Sequence, residues 1–475
     1  MLTFNSFYYT IMLTLLRMVK LMKKIITFLL LCLLMITVSC VDADVNSNEN
    51  KEVEIEYDFG GETFIFLQMG GFLYDIGDSV KGDMIMQRNA DTKAKFNCDF
   101  RVDQGANDLV ELNLRLASMT DVPSLADLHG YQAYPFFKQG SLYPVNAIST
   151  IDLRQTRWGT PFFLQYGKFD SENYYGIFAY DWPEVPQFAG VLYFNNKLLA
   201  TYDGRNPYEM IEQGTWLWDE FYKMVENCTI QEDQTEYNGL GIQDDNYFNK
   251  MVLFSNGVSP VVENNKQPVF GYTSQETYKA MEYATKLRTG KSSTGKSLVS
   301  NGNWEIFSFP PTCVFYSGES WVGTEQGETR PSFEMDEYGF LPFPNGPDVE
   351  YGTTSAFVHM GRRLNFMFGI SEADLEDFGI VLTYYLSPIE EGISEAWKPY
   401  LKDIVLHHNE DYPIFMKMMD EMKYDYTCQL ADVNDKMNLA VAAAMSGKKT
   451  PSESMLGIEE IMNVAIAENI KSLMD

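Results

Sequence analysis

Short runs of apolar, β-branched and aromatic residues alternate with longer helical patterns through most of this chain. Buried strands are predicted at residues 63–67, 121–128, 190–194, 312–316 and 338–344. Helices are predicted at residues 80–94, 109–119, 216–221, 275–289, 372–386, 410–422 and 459–474. Thr215 and Ser274 each precede a predicted helix and are predicted as its N-cap. Because strands that alternate with helices pack in mixed layers, the pattern predicts an α/β fold with mostly parallel sheets.

The N-terminal region has the pattern of a bacterial lipoprotein export signal. Lys23 and Lys24 precede an apolar run at residues 25–38, and Cys40 follows that run. The run is shorter than the roughly 20 residues that a membrane-spanning helix needs. We expect cleavage before Cys40, acylation of its thiol, and a lipid-anchored chain at the extracellular face of the cell membrane. One uncleaved anchor helix is the alternative, because residues 2–38 are apolar over most of their length.

The predicted leader is residues 1–39, and the mature chain that follows it divides into a tether and a folded part. Residues 40–61 are predicted to be a flexible tether, because they are mostly polar and end in two glycines. The remainder is too long for a single ordinary hydrophobic core, so the length suits two lobes.

The chain is strongly acidic, with 66 Asp and Glu residues against 36 Lys and Arg residues and a formal net charge of −30. The predicted leader carries basic residues and no acidic ones, so the mature chain is more acidic still. Such a field repels phosphate groups, which argues against nucleic acid and against an anionic bilayer surface as partners.

Sequence motifs of common catalytic and metal sites are absent. There is no G-x-S-x-G, phosphate-binding loop or dinucleotide fingerprint. The four histidines form neither H-x-x-x-H nor H-E-x-x-H, so no metal and no cofactor are expected. Carboxylate pairs carry little weight among 66 acidic residues, so the chain is predicted not to be an enzyme. A secreted glycan-active enzyme is the alternative.

Four cysteines remain after the predicted processing, and they lie far apart in the sequence: Cys98, Cys228, Cys313 and Cys428. No C-x-x-C pair is present. A disulfide framework is not expected in a domain of this size, although one or two bridges stay open as an alternative.

Four blocks of sequence occur in an order and spacing that resembles the extracellular solute-binding protein family 1. They are residues 121–125 with 140–145, 175–177 with 191–199, 215–221, and 312–321 with 338–346. The family contains the substrate-capturing lipoproteins and periplasmic proteins of ABC importers for sugars. Together the blocks span about residues 62–475.

The resemblance implies a two-lobe, periplasmic-binding-protein-like clamshell with multiple crossovers between the lobes. Lobes of this kind close over a ligand by hinge motion. We expect residues 62–176 and 308–355 in the first lobe, and residues 177–307 and 356–475 in the second.

The resemblance also implies a sugar site that includes Glu319 and Trp321. A pyranose has an apolar face and a ring of hydroxyls, so it needs a flat aromatic beneath it and carboxylate or amide acceptors around it. Trp321 lies at a strand end where the family places a stacking tryptophan, and Glu319 would accept hydroxyl hydrogen bonds. The alternative is that Trp321 is a core residue.

Two further groups of residues are predicted to line the cleft. Asp127, His129 and Tyr131 follow a predicted strand of the first lobe, with a solvated loop as the alternative. Trp182 and Gln187 lie just before the crossover strand, where Trp182 could stack on a ligand and Gln187 could bind hydroxyls. The alternative is a rigid structural loop, because prolines flank this segment. The remaining prominent tryptophans, Trp158, Trp216 and Trp218, are assigned to packing.

These observations predict a lipid-anchored substrate-binding protein of an ABC importer. It would capture a carbohydrate, most simply an oligosaccharide, between the lobes and deliver it as a monomer to the permease subunits. A lipoprotein that reports ligand to a membrane sensor kinase is an alternative with the same fold. Peptides and polyols remain alternative ligands.

Overall fold

The computed structural model describes residues 57–69, 80–105, 109–182, 185–232, 234–308, 311–324, 338–358, 363–369, 374–389, 393–429 and 431–470. Residues Glu56–Asp475 form one compact unit. The predicted leader, the predicted lipidation site Cys40 and most of the tether lie outside the described residues. Within the described ranges, no helix has the length and apolar character needed to cross a membrane.

The folded domain begins before residue 61, where the tether was predicted to end. The backbone amide of Phe59 donates to the carbonyl of Phe96 at 2.9 Å, and Gly61 donates to Asn97 at 2.7 Å. The Phe59 ring also packs against Phe64 and Phe96. Residues 57–61 therefore belong to the domain, because hydrogen bonds and an aromatic ring hold them to it.

The described strands form two sheets and a separate hairpin. In chain order they are β1 (Thr63–Gln68), β2 (Asp99–Gln104), β3 (Leu125–His129), β4 (Leu142–Tyr143), β5 (Gly176–Ile177), β6 (Ala189–Asn195), β7 (Ile230–Glu232), β8 (Thr235–Ile242), β9 (Val261–Asn264), β10 (Gln267–Phe270), β11 (Val299–Asn301), β12 (Cys313–Glu319), β13 (Tyr338–Pro342), β14 (Phe357–Val358), β15 (Arg363–Phe368) and β16 (Lys423–Tyr424).

The helices of the described residues cover the faces of these sheets. They are α1 (Val80–Phe96), α2 (Val110–Ser118), α3 (Gly130–Lys138), α4 (Pro161–Tyr166), α5 (Asn196–Tyr202), α6 (Pro207–Glu212), α7 (Trp218–Asn227), α8 (Asp245–Ser255), α9 (Gln275–Thr289), α10 (Glu305–Ser308), α11 (Trp321–Thr324), α12 (Leu375–Tyr385), α13 (Trp397–Tyr400), α14 (Asp411–Asp420), α15 (Ala431–Met445), α16 (Pro451–Leu456) and α17 (Glu459–Asn469). Short 3-10 turns occur at Val145–Ala147, Thr156–Trp158 and Tyr426–Gln429, and a π-helical turn occurs at Leu401–Val405.

The predicted α/β fold with two lobes is confirmed, but its sheets are mixed rather than mostly parallel. The first sheet has the order β2-β1-β3-β15-β4, with β5 beside β15, and the second has β11-β8-β12-β6-β14-β16, with β13 beside β6. In the first sheet β15 is antiparallel to its neighbours, and in the second β6 is antiparallel to β12, β13 and β14. Each of these strands is the first that the chain forms after it crosses from the other sheet.

The strand pairing corrects the predicted lobe boundaries. Residues 308–355 were expected in the first lobe, but β12 and β13 pair with β6 in the second sheet. Residues 356–475 were expected in the second lobe, but β15 pairs with β3 in the first sheet. The chain therefore returns to the first lobe between β14 and β15, and it leaves again after α12.

Three hydrophobic clusters fill the domain. One packs α1 and α12 against the outer face of the first sheet, around Phe66 and Tyr385. A second surrounds the helices of the second lobe, including Trp216 and Met281. The third joins residues of both sheets, such as Leu128 and Tyr193, so the lobes share a continuous apolar region where the chain crosses between them.

Candidate ligand-binding cleft

Polar side chains lie at the carboxyl ends of parallel strands in both sheets. In the first sheet β1 and β3 run parallel and end near Asp127 and His129. In the second sheet β8 and β12 run parallel, and Gln243 and Glu319 lie at their ends. Ligands of open α/β sheets bind outside these strand ends. This edge is therefore the candidate site in each lobe.

Asp127 belongs to β3 rather than to a solvated loop. Its side chain is half-buried, and one carboxylate oxygen, Oδ1, accepts a hydrogen bond from the backbone amide of Met69. Asp127 also stands opposite Asn365 of β15. The strand and this hydrogen bond fix the carboxylate at the sheet edge.

His129 and Tyr131 form a flat aromatic pair at the beginning of α3. Their ring centroids are 5.4 Å apart with an interplanar angle of 10°. The backbone amide of His129 donates to Oε1 of Gln132 at 3.0 Å, which caps the helix. The next amide, that of Gly130, donates to the hydroxyl of Tyr166 at 3.2 Å. The capped turn holds the stacked rings at the end of β3.

Glu319 is held at the end of β12 in the second lobe. This residue is only 7% exposed. Gln243 contacts it twice, with Nε2 donating to the carboxylate at 3.4 Å and Oε1 accepting from the Glu319 amide at 3.3 Å. The register of β12 against β6 shifts between Gly318 and Glu319. This irregularity ends the regular pairing and directs the last residues of the strand out of the ladder.

Tyr247 interacts electrostatically with residues of both lobes at this edge. Burial raises the pKa of the Tyr247 phenol, and the negative charges of Glu319 and Asp244 together with the phenol of Tyr131 raise it further. Tyr131 is on the first lobe and the other three residues are on the second. The electrostatic interaction therefore indicates that residues from both lobes lie near one another at this edge.

The sequence reasoning missed Asp244 and Tyr247, although a signal was present. The carboxylate of Asp244 accepts from the backbone amides of Asn246 and Tyr247 at 2.8 and 3.0 Å, which is an N-cap for α8. An aspartate before an apolar helical pattern predicts such a cap. That rule would have placed Tyr247 in the first turn of a helix that follows β8.

Trp321 is half-buried at the beginning of α11 and packs against the shared apolar cluster. That its ring stacks on a ligand remains a prediction. Gln187, which is also half-buried, precedes β6 on the first crossover and remains a prediction for hydroxyl binding.

Trp182 does not line the cleft, contrary to the prediction. It is 4% exposed and lies in the cluster on the outer side of the first sheet. Its Nε1 donates to the carbonyl of Ser387 at 3.3 Å, and its ring contacts Tyr385 at 5.1 Å. The alternative of a structural segment is the correct one. The three tryptophans assigned to packing, Trp158, Trp216 and Trp218, are buried.

A second aromatic group spans the lobes, and we call it the Tyr424 cluster: Tyr424, Tyr426, Phe162 and Tyr166. Tyr424 lies at the end of β16 in the second lobe, and its ring centroid is 4.3 Å from that of Tyr426. It lies 6.1 Å from Phe162 and 6.0 Å from Tyr166, both on α4 of the first lobe. Since Tyr166 also contacts Gly130, this cluster adjoins the stacked rings at the beginning of α3.

The cysteines that the structure describes are free and buried thiols: Cys98, Cys228 and Cys313. Burial raises the pKa of the Cys228 thiol to about 12, so this thiol stays protonated at neutral pH. Among the described residues, no group of three or more histidine, cysteine, aspartate or glutamate side chains could hold a metal ion.

No model of a known protein family and no curated protein sequence matches this chain. Solved structures match its fold. The cyclic alpha-maltosyl-1,6-maltose binding protein from Arthrobacter globiformis covers 86% of this chain and 100% of its own length, with a TM-score of 0.63 and 14% identity. The maltose-bound MalE3 of T. maritima covers 85% and 99%, with a TM-score of 0.60 and 15% identity.

The galacto-N-biose-/lacto-N-biose I-binding protein of the ABC transporter from Bifidobacterium longum covers 88% of this chain and 98% of its own length. Its TM-score is 0.57 and its identity 13%. At such identities the likeness establishes the fold. The chain has the two-lobe fold of ABC-transporter solute-binding proteins, which confirms at the level of the fold the resemblance found in its sequence.

Proposed function

We propose that this chain is the substrate-binding protein of an ABC importer and captures a carbohydrate between its lobes. The observation that carries the proposal is the electrostatic proximity of Tyr131 and Glu319 to Tyr247, at the carboxyl ends of strands from two sheets. The similar structures are named for binding cyclic alpha-maltosyl-1,6-maltose, maltose and lacto-N-biose.

The side chains at this edge suit a sugar. The stacked rings of His129 and Tyr131 offer a flat apolar surface of the kind that packs on a pyranose face. Carboxylates at Asp127 and Glu319 are acceptors for hydroxyl groups, and hydrogen bonds to a charged acceptor are about twice as strong as neutral ones. Trp321, beside Glu319, supplies a further ring.

Contacts from both lobes couple binding to closure. A ligand shifts an equilibrium between open and closed forms only by its difference in affinity for the two. A sugar that touches Tyr131 on one lobe and Glu319 on the other gains contacts only when the lobes approach. The closed surface would then be recognised by the permease.

Lipid anchoring at Cys40 completes the proposal. The export signal before Cys40 and the polar residues after it would hold the domain at the extracellular face of the membrane. The mature protein would work as a monomer, with the permease subunits as its partners.

A thermal-shift screen of residues 41–475 against mono- and oligosaccharides tests the proposal, with peptides and polyamines as controls. A ligand that binds only the folded state at 100 times its Kd adds about 2.7 kcal/mol to the free energy of unfolding. A shift with a sugar that is recovered unchanged supports a carbohydrate receptor. A shift with peptides alone would overturn the sugar assignment, and recovery of cleaved sugar would show an enzyme instead.

A further inference from the structure

Asp425 lies between Tyr424 and Tyr426, and its side chain is fully buried. The carboxylate accepts a hydrogen bond from Nζ of Lys250 on α8. Its other oxygen accepts from the backbone amide of Thr427 at 3.0 Å and from the hydroxyl of the same residue. These bonds fix the backbone of the turn that carries the two tyrosine rings.

The polar network continues within the second lobe to α15. The hydroxyl of Thr427 is 3.4 Å from Oδ1 of Asn434 on α15, and both residues are fully buried. Lys250 is three residues after Tyr247 on α8, and residues at this spacing share one face of a helix. The ion pair between Lys250 and Asp425 therefore joins the helix that presents Tyr247 to the turn that presents Tyr424 and Tyr426.

Stability alone is a weak reason for such a pair. Moving two charges out of water costs about as much as their attraction returns, and apolar residues of similar volume often do as well. A buried ion pair does fix geometry, because each partner is held by bonds in a definite direction. What this pair fixes is the position of rings at the meeting of the lobes.

We propose that Asp425 is a positioning residue of the binding cleft. Held by Lys250 and Thr427, it sets the ring of Tyr424, which packs on Tyr426, against Phe162 and Tyr166 of the first lobe. Its carboxylate does not touch the ligand and acts through these rings. As an inference about ligand affinity it rests on the function proposed above.

The test compares Asp425→Ala with Asp203→Ala. Asp203 is a matched control because its side chain is also fully buried and ion-paired, but its partners are Arg205 and Asn227. Calorimetric titration with the saccharide found in the screen gives the Kd at 25 °C, and thermal unfolding gives the Tm. We expect Asp425→Ala to raise the Kd roughly tenfold, as for loss of a good aromatic contact, and Asp203→Ala to lower only the Tm.

A second readout needs no ligand. With 3-fluorotyrosine at position 424, the ¹⁹F spectrum of the otherwise wild-type protein reports the surroundings of that one ring. We expect the signal to shift or broaden in Asp425→Ala and to stay unchanged in Asp203→Ala. A purely structural role for Asp425 would lower the Tm and leave both the Kd and this signal as they are, which would overturn the inference.

Two outcomes need separate treatment. If Asp425→Ala does not fold, Thr427→Val, which has nearly the same size, replaces it, and an unchanged Kd and ¹⁹F signal again overturn the inference. If the wild-type protein binds no saccharide, the proposed function fails. The ¹⁹F comparison then still decides whether Asp425 positions the ring.

Discussion

Two tryptophans that were both predicted to line the cleft have different surroundings. Trp321 is half-buried at the beginning of α11, two residues after Glu319 in the sequence. Trp182 is enclosed beneath α12, with its Nε1 bonded to Ser387 and its ring against Tyr385. Both follow an acidic residue closely, so local sequence does not distinguish them. What distinguishes them is the position of α12, which covers Trp182 and lies about two hundred residues after it in the chain.

Replacement of Trp321 by alanine is expected to weaken ligand binding and to change stability little. The ring would lose its contact with the sugar face, worth about 0.5–1.5 kcal/mol beyond buried area, so the Kd rises several-fold or more. Titration calorimetry gives the Kd, and thermal unfolding gives the Tm. If Trp321→Ala does not fold, Trp321 is a core residue and its assignment to the cleft is wrong.

Replacement of Trp182 by alanine is expected to have the opposite profile. Removal of a buried tryptophan from a packed cluster costs about 3–5 kcal/mol of the free energy of unfolding. Denaturant unfolding measures this loss, and the Kd of the folded fraction should stay near that of the wild type. A stable variant with lost affinity would contradict the placement of Trp182 in the core.

At the scale of helices and strands, the sequence predicts a helix cap correctly where the capping side chain has no competing local partner. The hydroxyl of Ser274 accepts from the amide of Thr277 at 3.2 Å, so the predicted cap of α9 is confirmed. Thr215 was predicted as a cap but lies before α7, whose N-cap is Leu217, because its own amide and hydroxyl are bonded to Met210. The short turn at Tyr424 gave no periodic signal, so its contacts could not be predicted.

The loop after α5 provides a pH-dependent prediction. Burial acts to raise the pKa of Asp203, but hydrogen bonds from Arg205 and Asn227 outweigh it and hold that pKa below its ordinary value. Arg205 also donates to the carboxylate of Glu220 on α7 at 2.9 Å. Through Arg205, the Asp203 carboxylate therefore links the loop after α5 to α7. A lowered folded-state pKa adds stability above pH 3.8, and that stability is lost as the pH falls through the folded-state pKa.

Asp203→Asn should therefore lower the free energy of unfolding near neutral pH by about 1.5–3 kcal/mol, the range for hydrogen bonds to a charged group. The difference from wild type should shrink as the pH falls below 3.8. Urea unfolding at a series of pH values measures both. A difference that does not depend on pH would mean that the ionised carboxylate is not what stabilises this link.

At the scale of the whole molecule, the division into lobes is decided by strand partners far apart in sequence. The sequence indicates that residues 312–316 and 338–344 form strands, but it does not indicate which sheet receives them. Their partner is β6, more than a hundred residues earlier, with Phe315 opposite Phe194 and Phe340 opposite Tyr193. Two lobes were predictable from length and alternation, whereas the segments that belong to each lobe were not.

The crossover before β6, at Tyr180 and Asp181, and the crossover after α12, at Glu395 and Trp397, are bonded to each other. The amide of Glu395 donates to Oδ1 of Asp181 at 3.2 Å, and the rings of Tyr180 and Trp397 are 5.4 Å apart. Bonds of this kind hold the crossovers together while the parts on either side rotate. Ligand binding should therefore move the lobes as rigid bodies about this region.

Paired spin labels test this motion in the chain from residue 41, with Cys428 replaced by serine. The three buried thiols described above are poor targets for labels. Leu114→Cys on α2 and Leu439→Cys on α15 give one exposed site in each lobe. The distance between these labels should shorten when the saccharide is added. Labels at Leu439→Cys and Leu456→Cys, both in the second lobe, are the control, and the distance between them should not change. If the distance between the labels at positions 114 and 439 also stays unchanged with ligand bound, capture does not involve closure.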